Sequence, residues 1–246
     1  MSRSSYLICA TPRSGTTLLC DLLSQTGVAG KPNSFYRQES VADFATEWSV
    51  APGDGVEFER RYLAAAVKAG TNDTGTFGMR VMWPSMPYLL EQLGRMFPNE
   101  TTDTGRIAKA FGTPIYIHMK RKDRVAQAIS RLKAEQSGLW HRHADGSERE
   151  RVKDHQAPQY DRAQLERFIA EAEDNEAHWH RWFDAAGITP FELTYEELAA
   201  DPTMAIAKAL GAFGKDPDIA KRVTVQTARL SDATSKDWAT RFAREH

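Results

Sequence analysis

The sequence predicts an α/β protein, with a parallel sheet and helices packed on both faces. Three observations carry this. The apolar run YLICA (6–10) stops at a Thr-Pro turn, the pattern of a short buried strand. TTLLCDLLSQTG (16–27) then sets Leu18, Leu19, Leu22 and Leu23 at helical spacing, with Gly27 as the stop. Strand-like and helix-like segments alternate from there to the C-terminus.

The later elements follow in order. FGMRVMW (77–83) fits a strand or the first turn of a helix, and SMPYLLEQLGRMF (85–97) is helical from Tyr88 onward. NETTDTGRIAKAFG (99–112) combines a polar connection with a short helix. TPIYIHMKR (113–121) is the second clear strand, because Ile115, Ile117 and Met119 alternate with Tyr116 and His118 and load both faces. DRVAQAISRLKAEQSG (123–138) is a helix capped by Asp123 and Gly138. Residues 141–160 are polar and predict an exposed excursion. Residues 161–187 form a long amphipathic helix ending at Gly187. TPFELTYEELAADP (189–202) gives a strand and then an acidic-capped helix, and 203–214 is helical. No internal repeat or low-complexity tract interrupts the chain.

The bulk numbers bound the function. A chain of 246 residues, 41% hydrophobic and 26% charged, predicts a single globular domain over 1–246 with ample core. A net charge of −1 offers no global attraction to nucleic acid or an anionic membrane, so an anion site must be local. Cys9 and Cys20 lie in apolar patterns and read as buried thiols of a reducing compartment. The first apolar run is too short for a secretory signal, and no segment approaches the ~20 apolar residues of a membrane span. The expected location is the cytoplasm.

Two segments carry chemistry. In TPRSGTT (11–17), a strand meets a helix N-terminus, where unpaired N–H groups and the helix dipole attract anions. Gly15 permits the tight turn. Ser14, Thr16 and Thr17 add hydroxyls, and Arg13 adds a fork of donors for phosphate or sulfate oxygens. The Gly-Lys-Ser/Thr ending of a triphosphate loop is absent, which disfavours magnesium-nucleotide chemistry. In KRKDRVAQAIS (120–130), Arg121 stands at the carboxyl end of a strand, where open α/β sheets bind ligands, and Ser130 follows within the next helix. A helix cap and a solvated basic turn are the plainer readings of these two segments.

Taken together, these motifs resemble the PAPS-dependent sulfotransferases, PAPS being 3′-phosphoadenosine 5′-phosphosulfate. TPRSGTT resembles their 5′-phosphosulfate loop, and Arg121 with Ser130 resembles their 3′-phosphate site. LTYEELAADP looks like their strand-to-helix segment, and DATSKDWATRF (232–242) resembles the C-terminal segment that closes over the nucleotide. TGVAGKP followed by GMRVMW looks most like the bacterial trehalose 2-sulfotransferase family. The resemblance spans residues 5–242 and implies a P-loop-kinase-like fold, PAPS as donor, its desulfated form PAP as product, no metal, and a carbohydrate or other hydroxyl acceptor. It also implies a homodimer. A kinase-like phosphotransferase and a nucleotide binder without catalysis are the alternatives.

The resemblance also assigns roles. Arg13, Ser14, Gly15, Thr16, Thr17, Arg121 and Ser130 hold PAPS, with Gln226 and Arg229 near the adenine or 3′-phosphate. Arg13 and the loop amides stabilise the leaving phosphate, and Arg80 faces the sulfuryl group or the acceptor. Where the trehalose enzymes carry a glutamate after GVAG-x-P, this chain has Ser34, a poor base. Glu39, His118 and His141 are the candidate bases, and a reaction with no side-chain base stays open. Phe35, Tyr36, Trp83 and Trp140 are candidate sugar platforms beside Ser34 and His141. The HWH run (178–180) is set aside as a metal pair, because i and i+2 diverge on a helix.

Overall fold

The computed structural model describes residues 4–142, 147–152, 156–226 and 232–245. The first half runs β1 (Ser4–Ala10), α1 (Thr16–Gln25), α2 (Val41–Glu47), α3 (Gly55–Gly70), β2 (Thr76–Met82), α4 (Met86–Met96), α5 (Asp103–Phe111) and β3 (Ile115–Lys120). The second runs α6 (Arg124–Ser137), β4 (Leu139–Arg142), β5 (Glu148–Arg151), α7 (Arg162–Ala186), β6 (Phe191–Thr194), α8 (Tyr195–Ala200), α9 (Pro202–Ala212) and α10 (Ala233–Arg244).

Four of these strands make one sheet in the order β2-β1-β3-β6, with every pairing parallel. In register, Ile8 sits between Arg80 of β2 and Ile117 of β3. The chain builds outward from β1 to β2, then crosses back to add β3 on β1's other side. That reversal puts a topological switch point between the carboxyl ends of β1 and β3, where such sheets bind ligands.

The strand period of two sorts side chains between the faces. Leu7, Cys9, Met79 and Tyr116 join Tyr62 of α3, Leu89 of α4, Ile107 of α5 and Trp179 of α7 on one face. Tyr6, Ile8, Ile117 and Leu193 meet Leu19 and Leu22 of α1, Leu198 of α8 and Ile206 of α9 on the other. The expected helix-covered parallel sheet is therefore present. A third cluster, including Ile129, Leu132, Phe168, Trp238 and Phe242, packs α10 onto α6 and α7. Cys9 and Cys20 are both buried, as their apolar settings predict.

Several expectations resolve or change. Residues 77–83 are mostly strand, and 103–111 form a true helix capped by Thr102. The polar stretch at 141–160 holds part of a short antiparallel hairpin, β4–β5, braced by Arg151 Nη1 donating to the Ser137 carbonyl at 2.6 Å. Helices α2 and α3 lie where the periodicity argument assigned no element. Asp123 and Gly138 cap α6, and Gly187 ends α7 in the left-handed region, as expected. Among the described residues, no helix is long and apolar enough to cross a membrane.

One close backbone approach positions the site. Gly30 has φ +72°, and a Cβ there would lie 2.7–2.9 Å from Thr76 O, Gly70 O and Gly78 N. No side chain fits at that point, so the loop at 28–37 lies directly on the end of α3 and on β2. Lys31 N donates to the Gly70 carbonyl and Arg80 N to the Asn33 carbonyl, each at 3.0 Å. Ser34 is thereby held beside Arg80.

Candidate active site

The loop between β1 and α1 is held in a costly shape. Arg13 has φ +64°, a left-handed conformation that costs a non-glycine residue on the order of 1–3 kcal/mol. Its surroundings offset this. Arg121 Nη1 donates to the Arg13 carbonyl at 3.1 Å, and Ser14 Oγ donates to the Thr11 carbonyl at 2.8 Å. Gln127 of α6, itself buried, donates through Nε2 to Thr11 Oγ1 at 2.9 Å and to the Pro12 carbonyl at 2.7 Å. Trp179 Nε1 donates to the Ala10 carbonyl at 2.9 Å and fixes where the strand stops. Gly15 has φ +86°, and a Cβ there would lie 2.5 Å from the Tyr195 ring. The N-terminus of α1 carries no side-chain cap, and Thr16, Thr17 and Leu18 of its first turn line the cleft.

Two cationic centres flank this loop. On one side, Arg13 Nε donates to Ser130 Oγ at 3.0 Å and Nη1 to the Trp140 carbonyl at 2.9 Å. Arg121 stacks 4.5 Å from the Tyr195 ring centroid, and its Nε is buried without a hydrogen-bond partner. Burial pulls the Arg121 guanidinium below its ordinary value, while Tyr195, Asp123 and Glu196 pull the other way. A desolvated, donor-rich cation of this kind fits an incoming anion. On the other side, Arg80 Nε donates to Ser34 Oγ at 2.7 Å, and its Nη1 reaches Thr17 Oγ1 at 2.9 Å and Thr16 Oγ1 at 3.4 Å. Both centres open into one cleft of about 770 Å³ at the β1/β3 switch point, within the range of small-molecule sites. The cationic side chains are thus gathered locally on a near-neutral chain.

A family model of the Stf0 sulphotransferases matches residues 5–245. The chain belongs to the Stf0 sulphotransferase family. It is 30% identical over 271 residues to the "Trehalose 2-sulfotransferase" of Mycobacterium tuberculosis, covering 100% of this chain and 97% of that protein. It is 28% identical over 263 residues to the protein of the same name from Mycolicibacterium smegmatis, covering 98% and 95%. Among solved structures, a sulfotransferase from Alicyclobacillus acidocaldarius aligns with a TM-score of 0.47 and 15% identity, over 100% of this chain and 93% of that one. Family membership makes the chain a sulfotransferase and argues against the phosphotransferase alternative.

In this Stf0 sulphotransferase the expected site residues divide. Arg13, Gly15, Thr16, Thr17, Ser34, Glu39, Arg80, Arg121, Ser130 and Trp140 all line the cleft. Ser14 is fully buried and braces the loop from behind. The Arg13 guanidinium turns toward Ser130, so Arg80 is the cation against the 16–17 hydroxyls.

Phe35 and Tyr36 are not sugar platforms. Each is 3% exposed in the core, against Phe44, Trp48, Tyr62 and Phe111. Tyr62 Oη donates to the Phe35 carbonyl, so this pair anchors the loop that presents Ser34. Trp83 stacks on His178 at 5.0 Å and packs edge-on to Trp179, outside the cleft walls. His118 is fully buried beside Glu176 and does not line the cleft, so it is out of reach of an acceptor there. Gln226 is exposed and is not a cleft wall, although Val225 is. Arg229 and the His141 side chain lie outside the described residues.

The carboxylates of the cleft, among the described residues, are Glu39, Asp123 and Glu135. Asp123 caps α6 by accepting from Ala126 N at 2.8 Å, and Glu135 is bound by Arg131 at 2.7 Å. Glu39 is 76% exposed and 3.4 Å from Arg37. Sequence reasoning missed Tyr195 and Gln127. Tyr195 sits in the LTYEEL segment already singled out, whereas nothing local marks Gln127 as the buried prop of a loop more than a hundred residues away.

Proposed function

We propose that this sulfotransferase uses PAPS as its donor and transfers the sulfuryl group to a hydroxyl of a carbohydrate. The observation that carries the reading is the pair of cationic centres on one phosphate-type loop. PAPS bears its phosphosulfate and its second phosphate at separate ribose positions, and two separate anion holds suit that spacing. Arg121, Arg13 and Ser130 would hold the 3′-phosphate, with the Tyr195 ring beside them. The uncapped N–H groups of α1, Thr16, Thr17 and Arg80 would hold the 5′ side.

The chemistry then asks three things of the chain. The sulfur–oxygen bond to the leaving phosphate breaks as the acceptor oxygen bonds to sulfur, and charge grows on the phosphate. Arg80 and the helix N–H groups lie where donors stabilise such charge. The acceptor proton must go to a base, and among the described residues Glu39 is the cleft carboxylate that neither caps a helix nor is bound to Arg131. Arg80 also bridges Ser34 to the loop, which aligns an acceptor near Ser34 with the donor. The carbohydrate assignment rests on the names of the two mycobacterial relatives.

The test is transfer from radiolabelled PAPS across a panel of trehalose, other disaccharides and simple alcohols, followed by chromatography of the sulfated product. Labelled disaccharide supports the proposal. Label transferred only to non-sugar alcohols overturns the acceptor class, and no turnover of PAPS with any acceptor overturns the donor.

A further inference from the structure

A second cluster of chemistry-bearing side chains lies on the far side of β3 from α1. His118 of β3 is fully buried, and Glu176 and His180 stand one helical turn apart on α7. His118 Nε2 is 3.2 Å from Glu176 Oε1, and His180 Nε2 is 3.6 Å from the same oxygen. The three ligand atoms lie within 4.8 Å of one another. Both ring nitrogens of His118 and both oxygens of Glu176 are buried, and the contacts of Glu176 to His118 and Arg124 are close but poorly aligned. Buried polar atoms this close but misaligned for hydrogen bonding are costly unless something joins them.

The spacing says what could. Ligands about 2.0–2.1 Å from a tetrahedral zinc ion lie roughly 3.3 Å apart, which the observed 3.2 and 3.6 Å bracket. Two imidazoles and one carboxylate suit a zinc-class transition metal over calcium or magnesium, which take all-oxygen shells. Glu176 and His180 are an i, i+4 pair, so one helix face offers both ligands. Half of the His180 side chain is exposed, which gives the ion a route in and leaves a fourth position to water. The other Glu176 oxygen is 3.5 Å from Arg124 Nη2, and Glu192, paired with Lys120 at 2.6 Å, is close enough to interact with both histidines. Arg124 Nη1 donates to Gln127 Oε1 at 2.9 Å, and Gln127 is the residue that props Thr11 and Pro12.

The geometry points to a divalent transition-metal site formed by His118, Glu176 and His180, pinning α7 to β3 behind the phosphate-type loop. The HWH run thus separates in space. His178 stacks on Trp83, and His180 finds its partners through the fold.

The test uses the full chain, stripped with a chelator and titrated with Zn²⁺ by calorimetry and with Co²⁺ by visible absorption. The site predicts one saturable ion per chain, the d–d bands of a four-coordinate Co²⁺, and a rise in thermal midpoint with Zn²⁺. All three should vanish in His180→Ala, a change at a half-exposed position that the fold tolerates, and persist in His178→Ala. Absence of saturable binding in the wild type overturns the site, as does equal binding in wild type and His180→Ala. Loss of binding in His178→Ala with retention in His180→Ala overturns the ligand set.

Discussion

Arg80 is gripped by three hydroxyls, Ser34, Thr16 and Thr17. It is the side chain that joins the loop presenting Ser34 to the start of α1. Arg80→Lys keeps the charge but loses the fork, and we expect turnover to fall by roughly 10²–10³-fold, the usual cost of losing a donor to developing charge. Nucleotide affinity should change little, as read by calorimetry. Glu39→Gln should likewise cut kcat while leaving nucleotide affinity intact, and wild-type turnover in that variant removes Glu39 as the base. Arg121→Ala should weaken binding of the 3′-phosphorylated nucleotide by about 1.5–3 kcal/mol and abolish discrimination against its 3′-dephospho form. At this scale the sequence was informative where the residues that line the cleft are neighbours in the chain. Arg13, Gly15, Thr16 and Thr17 share one loop, so their convergence could be read directly. Phe35 and Tyr36 misled because an aromatic beside a polar loop has the same local pattern whether it faces the cleft or anchors the loop from below.

At the scale of elements, α10 contributes Ser235, Lys236 and Ala239 to the cleft wall. It is fixed by Trp238 and Phe242 in the third apolar cluster and by Asp232, which caps it and bonds Lys133 Nζ at 2.6 Å. Burial pushes the Asp232 carboxyl up, but Lys133 and Ser235 outweigh it and hold the carboxyl below its ordinary value. A group depressed on folding adds stability above its unfolded value of about 4, and that stability is lost as pH falls through the folded value. Asp232→Asn keeps a capping side chain and removes the charge, so the stability difference between wild type and this variant should shrink as pH falls below about 4. Asp232→Ala removes the cap as well and should cost about 1 kcal/mol in urea unfolding at neutral pH. The helices with clear caps, α6 and α7, were legible for the same reason that Asp232 matters: a cap is a local signal. Helix α3 buries Tyr62 and Ala66 on a face that also carries Glu59, and α2 has only seven residues, so neither gave a clean period. Arg95 binds Glu59 from α4 at 2.6 Å, a partner no local pattern shows.

At the scale of the molecule, the sheet order β2-β1-β3-β6 explains why two motifs more than a hundred residues apart make one site. The alternation of strands and helices announced a parallel sheet, but strand order is a long-range property and could not be read. Once β3 pairs with β1, Arg121 lands beside Arg13, and α6 carries Ser130 to the Arg13 side chain and Gln127 to the loop's base. The backbone also leaves no slack where the loop at 28–37 meets the sheet. Gly30→Ala would drive a Cβ into three backbone atoms at a positive φ. It should destabilise the fold by roughly 1–3 kcal/mol and lower activity with it, measured by thermal unfolding and transfer assay on the same preparation. The central claim is that the cleft holds two anions of one nucleotide. Calorimetry of the wild-type chain with 3′-phosphoadenosine 5′-phosphate and with adenosine 5′-phosphate tests it most directly. The two-anion cleft predicts saturable 1:1 binding of the first, tighter than the second by about 10–100-fold. Equal affinity for the two nucleotides, or no binding of the first, would contradict it.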